Sequence, residues 1–167
     1  WRENRINAIH EGTNGIQAMD LLGRKLLGDG GKAFGLLSKR VEATLAAARA
    51  DAALAPLAET LATRWAALGP AVVKAGKVAA ADLELALANA YLLLDAMGHA
   101  VVAWLWLDQA LAARQALAAD DVRRAMLEGK LAVARYFIDW ELPTKDAVLA
   151  RFASLDPLCR DLDPAVL

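Results

Sequence analysis

The residues best suited to chemistry gather near the start of the chain, in Ile9-His10-Glu11-Gly12-Thr13-Asn14-Gly15-Ile16-Gln17. Gly12 and Gly15 permit positive φ or a close backbone approach by a ligand. Thr13 or Asn14 can cap a following helix, and Asn14-x-x-Gln17 has the spacing of a capping box. Glu11 then stands on a tight turn just ahead of a helix N-terminus, whose free N–H groups and dipole attract anions. A carboxylate beside a phosphate seat is a candidate site. On spacing alone, a solvated carboxylate complementing the helix dipole is the better explanation.

The turn needs a helix behind it. Ile16, Met19, Leu22 and Leu26 recur at helical spacing and predict a helix over 14–27. Gly28-Asp29-Gly30-Gly31 ends it and marks the boundary between residues 1–27 and a second unit, 32–167. In that unit, Phe34, Leu37, Val41, Leu45 and Ala48 form one face of a helix reaching about Ala53. Pro56 suits the first turn of the next helix, with Leu57, Leu61, Trp65 and Leu68 as its stripe. Gly69-Pro70 predicts a stop or kink, and Gly76-Lys77 another stop.

Asp82 is an N-cap for the longest predicted helix, 83–117, which is apolar around most of its circumference and so belongs at the centre of a bundle. Asn89, Asp95 and His99 interrupt it and argue against a membrane span. Asp120 or Asp121 caps a helix to about Glu141, with Met126, Leu127, Val133, Tyr136, Phe137 and Trp140 as core residues. Pro143 ends that helix, Thr144 caps a short one through Leu155, and the tail after Asp156-Pro157 reads as irregular. No strand pattern appears, so the expected class is all-α, an antiparallel bundle preceded by one further helix.

Composition agrees. Hydrophobic residues make up 57% and aromatics only 6%, so alanine and leucine, strong helix formers, dominate. Nineteen basic against twenty acidic residues leave a net charge of −1 with no basic patch, which argues against nucleic acid as a partner. A lone Cys159 excludes an internal disulfide, and so little sulfur suggests a cytoplasmic setting.

The stretch IHEGTNGIQAMDLLGRKLLG closely resembles the end of the catalytic domain of acyl-CoA dehydrogenases, in the branch that includes the 3-methylmercaptopropionyl-CoA type. YLLLDAMGHAVVAWLWLDQA and GKLAVARYFIDWELP are similar to the helical domain described as acetyl-CoA dehydrogenase C-terminal-like. The resemblance implies that residues 1–27 are the end of a catalytic domain and 32–167 an additional helical bundle. With Trp1 in place of an initiator Met, the chain is expected to be a C-terminal fragment, inactive by itself.

By that resemblance, Glu11 is the base that removes the α-proton of an acyl-CoA thioester while the β-hydrogen leaves as hydride to FAD. Gly12 aligns with a backbone position against the substrate, and Thr13, Asn14 and Gly15 with residues that contact FAD. Gln17 reads as structural. His10 replaces the Tyr common in the family and carries no proton-transfer role. An electron-transfer flavoprotein is the implied acceptor, and a homodimer or larger homo-oligomer the implied assembly. A different reading is a non-catalytic helical module for oligomerisation or interaction. Membrane association has little support from a near-zero net charge.

Other candidates read as structural. Asp95 and His99 share a helix face, but two ligands do not make a metal site and no metal is expected. Trp104, Trp106, Tyr136, Phe137 and Trp140 fit a core or interface better than a cofactor box. Arg24-Lys25 and Arg123-Arg124 read as solvated or helix-end charges, and Cys159 lacks a His partner for a nucleophilic role.

Overall fold

The computed structural model describes residues 13–119 and 122–166, and these are helical with no strand among them. Helix α1, Asn14–Met19, continues without a break as a π-helical turn, Asp20–Leu26, closed by the Leu27 N–H donating to the Leu22 carbonyl at 3.1 Å. After the glycine turn come α2, Lys32–Arg49, and α3, Ala55–Ala79. Then follow α4, Leu83–Ala88, α5, Ala90–Ala118, and α6, Arg124–Tyr136. A π-turn, Phe137–Glu141, and a 3₁₀ turn, Leu142–Lys145, lead into α7, Asp146–Ser154. The short α8, Leu158–Asp161, precedes a last 3₁₀ turn, Pro164–Val166.

Helix α5 is the axis. It packs against α1, α2, α3, α6 and α7, and buries Leu93, Met97 and Leu107 with a run of alanines. Alanine lets helices approach closely, so a central helix can be surrounded without many large side chains. By length and hydropathy alone α5 is also long and apolar enough to cross a bilayer, a test that the core helix of a bundle passes as well. Ala18, Leu22 and Leu26 of the first helix join the same hydrophobic cluster.

Several expectations need correction. The predicted 83–117 helix is interrupted at buried Asn89, with φ −110° and ψ 16°, where the side-chain amide donates to the Asp156 carbonyl at 2.9 Å. An asparagine that finds a backbone partner competes with helix continuation. Conversely, α3 runs through both Pro70 and Gly76. Exposed Pro70 forfeits one N–H bond, while Trp65, Leu68, Ala71 and Val72, buried on either side, hold the helix together. At Gly76 a Cβ would lie 2.9 Å from a methyl of Leu27, so a side chain there requires that methyl to shift.

The inward face of α6 also differs from the expected one. Leu127, Ala134, Ile138 and Leu142 point inward, whereas Met126, Val133, Tyr136 and Trp140 are exposed and Phe137 is half-buried. Of these, Phe137 and Trp140 lie in the π-turn at 137–141, whose residues per turn a 3.6-residue period does not anticipate. In the first helix Ile16 and Met19, expected on the apolar face, are exposed as well. Thr144 does not cap α7; its hydroxyl donates back to the Glu141 carbonyl at 2.6 Å. The tail is not irregular, since α8 forms behind an Asp156 carboxylate that accepts from the Leu158 N–H at 2.9 Å. Asp120 and Asp121 lie outside the described residues.

Candidate functional site

Glu11 and Gly12 lie outside the described residues; the site as described begins at Thr13. Thr13 occupies the N-cap position of α1 with φ 53° and ψ 75°, left-handed dihedrals that a β-branched residue adopts only against steric resistance. Its carbonyl accepts from the Ile16 N–H at 2.9 Å and the Gln17 N–H at 3.2 Å. Its side chain makes no capping bond, and the Asn14–Gln17 capping box is not used. The first N–H groups of a helix have no intrahelical acceptor, so those of Asn14 and Gly15 stand at an open, positive end.

Thr13, Asn14, Gly15 and Gln17 are all exposed. A Cβ added at Gly15 would meet nothing within 4 Å, so no contact among the described residues requires glycine there. Such a surface fits a polar ligand that comes close to the backbone, as the phosphate-bearing part of FAD would, with Thr13, Asn14 and Gly15 as the residues to hold it.

Gly15 opens onto a cavity of about 480 Å³ lined by Met19 of α1, Leu83, Leu87 and Tyr91 of α4 and α5, and Arg160 of α8. Three local devices hold that wall. Asp82 caps α4 by accepting from the Leu85 N–H at 2.9 Å, as its sequence position predicts. Arg160 pairs with Asp82 across the tail and with Asp161 beside it at 2.5 Å. The Leu85 N–H, with Arg160 adding to it, holds the Asp82 carboxyl below the usual carboxylate range, and hydrogen bonding to Asp161 and Asp82 pushes the Arg160 guanidinium up. Asn89 ties the start of α5 to Asp156. The predicted 83–117 helix was expected to be buried because it is apolar around most of its circumference. Leu83 and Tyr91 are in fact exposed, and nothing in the period tells a core face from a groove.

The remaining candidates are structural. His99 Nδ1 lies 2.8 Å from the Asp95 carbonyl and 3.1 Å from its carboxylate, which also receives Lys145 at 3.0 Å. The imidazole stacks on Phe137 with centroids 6.0 Å apart. Among the described residues no three His, Cys, Asp or Glu side chains are grouped to hold a metal. Trp104 donates to Thr44 at 2.9 Å, Trp65 stacks on Phe34, and Lys130 sits 5.0 Å above the Trp106 ring. Arg24 and Lys25 both pair with Asp20, whose carboxyl hydrogen bonding to Arg24 lowers. Arg124 lies 3.4 Å from Glu128, and Cys159 is exposed at the cavity rim.

A family described as "Acetyl-CoA dehydrogenase C-terminal like" matches residues 37–163, most of the chain and nearly all of the bundle. The chain belongs to the acyl-CoA dehydrogenase family. It is 34% identical to 3-methylmercaptopropionyl-CoA dehydrogenase of Ruegeria pomeroyi over 138 residues, 82% of this chain and 23% of that protein. It is also 28% identical over 173 residues, 98% of this chain and 28% of the other, to the broad-specificity linear acyl-CoA dehydrogenase FadE5 of Mycobacterium tuberculosis. The chain thus spans about a quarter of the length of these curated relatives. The family is one of oxidoreductases, and its members are FAD-dependent in general.

Proposed function

We propose that the chain is the C-terminal part of an FAD-dependent acyl-CoA dehydrogenase that converts an acyl-CoA to its trans-2-enoyl-CoA. The observation that carries this is the open backbone at Thr13–Gly15, at an exposed helix N-terminus beside a lined cavity, in a chain of this family. FAD, when bound, supplies the hydride acceptor. Thr13, Asn14 and Gly15 hold its polar part through backbone N–H groups and the Asn14 side chain. Gly12 lets the backbone come close to the thioester, and Glu11 takes the α-proton. An α C–H next to a thioester is a weak acid, so the base must be desolvated and placed within reach, and burial raises its pKa toward the working pH. Hydrogen-bond donors at the thioester oxygen stabilise the charge that develops there.

Residues 1–27 then end the catalytic domain and 32–167 form the added bundle, which lends Leu83, Leu87 and Tyr91 to the wall beside Gly15. The whole enzyme is proposed to be cytoplasmic and homo-oligomeric, to pass electrons to an electron-transfer flavoprotein, and to work without a membrane. The present chain holds one wall of the site, so it should purify colourless and leave an acyl-CoA and a dye acceptor unchanged. The longer protein should be yellow and reduce the dye with stoichiometric enoyl-CoA. A yellow, active chain or a flavin-free longer protein would overturn the reading. A second reading, a helical interaction module, is favoured by one observation, the outward apolar face of α6.

A further inference from the structure

The tail of the chain is anchored firmly at one end and lightly at the other. Its anchor is the end of α7, where Leu155 is buried at φ 56° and ψ 41° and Lys74 donates to the Ala153 carbonyl at 2.6 Å. Left-handed dihedrals persist at a leucine only where its surroundings fix them. Buried Asn89 then holds the Asp156 carbonyl at 2.9 Å. Past that carbonyl α8 has no buried residue, and Leu158 is 61% exposed. Its backbone hydrogen bonds are local. The Asp156 carboxylate accepts from the Leu158 N–H, the Pro157 carbonyl from the Arg160 and Asp161 N–H groups at 2.9 Å, and the Leu158 carbonyl from the Leu162 N–H at 3.0 Å. Helix α8 can therefore turn about Asp156 as a unit without breaking its own bonds.

We propose that α8 is a strap, hinged at Leu155–Asp156 and latched by Arg160 onto Asp82, that opens and closes the cavity beside Gly15. The walls of that cavity divide accordingly. Gly15 and Met19 of the first helix and Ala90 and Tyr91 of α5 stand on the bundle, whereas Cys159 and Arg160 come from the strap. The latch is built to let go. Arg160 Nη1 donates to Asp82, while its Nε and Nη2 donate to Asp161 at 2.5 and 3.1 Å, and Asp161 moves with the strap. Asp82 for its part keeps the Leu85 N–H whether the latch is closed or open. Opening thus leaves neither charge without a partner, which is what makes breaking a buried pair costly. A partly exposed pair such as this one is weak in any case. With no side chain of α8 buried, little apolar contact opposes the movement, and such elements open far more readily than the whole chain unfolds. The bending falls on residues at the end of an element, as in other hinges. The strap governs the approach to the backbone that the proposed function gives to FAD, but the hinge and the latch do not depend on that reading.

Thiol reactivity inside the cavity tests it, in a Cys159→Ser background that removes the native thiol. Ala90→Cys puts a thiol in the cavity and Ala100→Cys puts one on the same helix outside it; both alanines are 2% exposed. With Arg160→Gln removing the latch, the Ala90→Cys thiol should react with a bulky maleimide about two- to fivefold faster, the worth of an exposed ion pair. Arg160→Glu puts repulsion from Asp82 and Asp161 in place of attraction and should raise the rate further, to about tenfold. Arg160→Lys keeps the charge and should hold the rate within about twofold of the arginine chain. The Ala100→Cys thiol should be equally slow in all of them. An Ala90→Cys rate indifferent to the residue at 160 overturns the inference. So does an Ala100→Cys thiol that quickens in step, because it reports loosening of the bundle and not movement of the strap.

Discussion

Gly15 and Gly76 are both helical glycines, and they are glycine for opposite reasons. At Gly76 a Cβ would sit 2.9 Å from a Leu27 methyl, so the missing side chain makes room for the turn after the first helix to lie on α3. At Gly15 a Cβ would meet nothing, at the exposed end of a helix whose preceding residue is held left-handed. Glycine inside a helix costs about 1 kcal/mol relative to alanine. At Gly76 packing offsets that cost. At Gly15 no described residue offsets it, and under the proposed function a bound ligand would.

Substitutions sharpen the contrast. Gly76→Val should destabilise the chain by about 1–3 kcal/mol, as overpacking against Leu27 does, read from urea unfolding. No loss would mean that Leu27 moves aside freely and that Gly76 is not a packing residue. Next, Asp82→Ala removes the α4 cap and the Arg160 partner that hold the cavity wall. It should lower the melting temperature by ~2–4 °C. The pH dependence has a definite sign. The Asp82 carboxyl is depressed by the Leu85 N–H and Arg160, so its contribution is present above the unfolded pKa of about 3.9 and fades as pH falls through the folded value. The difference between wild type and Asp82→Ala should therefore vanish in acid, and a difference that grows there would contradict the assignment. Smallest in stability is Gly15→Ala, which should raise it by about 0.5 kcal/mol. In the longer protein the same change should cut bound FAD sharply. A variant that keeps its flavin would place Gly15 with Gly76 as a structural glycine.

Much of this fold is legible in the sequence because its punctuation is strong. Gly28–Gly31, Pro56 and Asp82 lie where elements end or begin, and Asp82 makes the cap its type predicts. What escaped is the rotation of faces. Two π-turns, at 20–26 and 137–141, change the residues per turn inside helices that the apolar period treats as uniform. Ile16, Met19, Tyr136 and Trp140 are exposed, so apolar residues at helical spacing also line outward faces. Asn89 escaped because its break depends on a carbonyl far along the chain, at Asp156. The candidate site was legible as a motif and not as a place. The turn through Gly15 was found, but the neighbouring wall comes from α4, α5 and α8, which no local pattern joins to it.

The proton-abstracting role of Glu11 is tested most directly in the longer dehydrogenase, by mixing acyl-CoA anaerobically with the Glu11→Gln enzyme and following flavin absorbance. The amide keeps the size of the side chain and removes the base. The account predicts that FAD stays bound at wild-type occupancy while substrate-driven bleaching slows by at least about 10²–10⁴-fold, the usual contribution of a general base. Bleaching at the wild-type rate would contradict it.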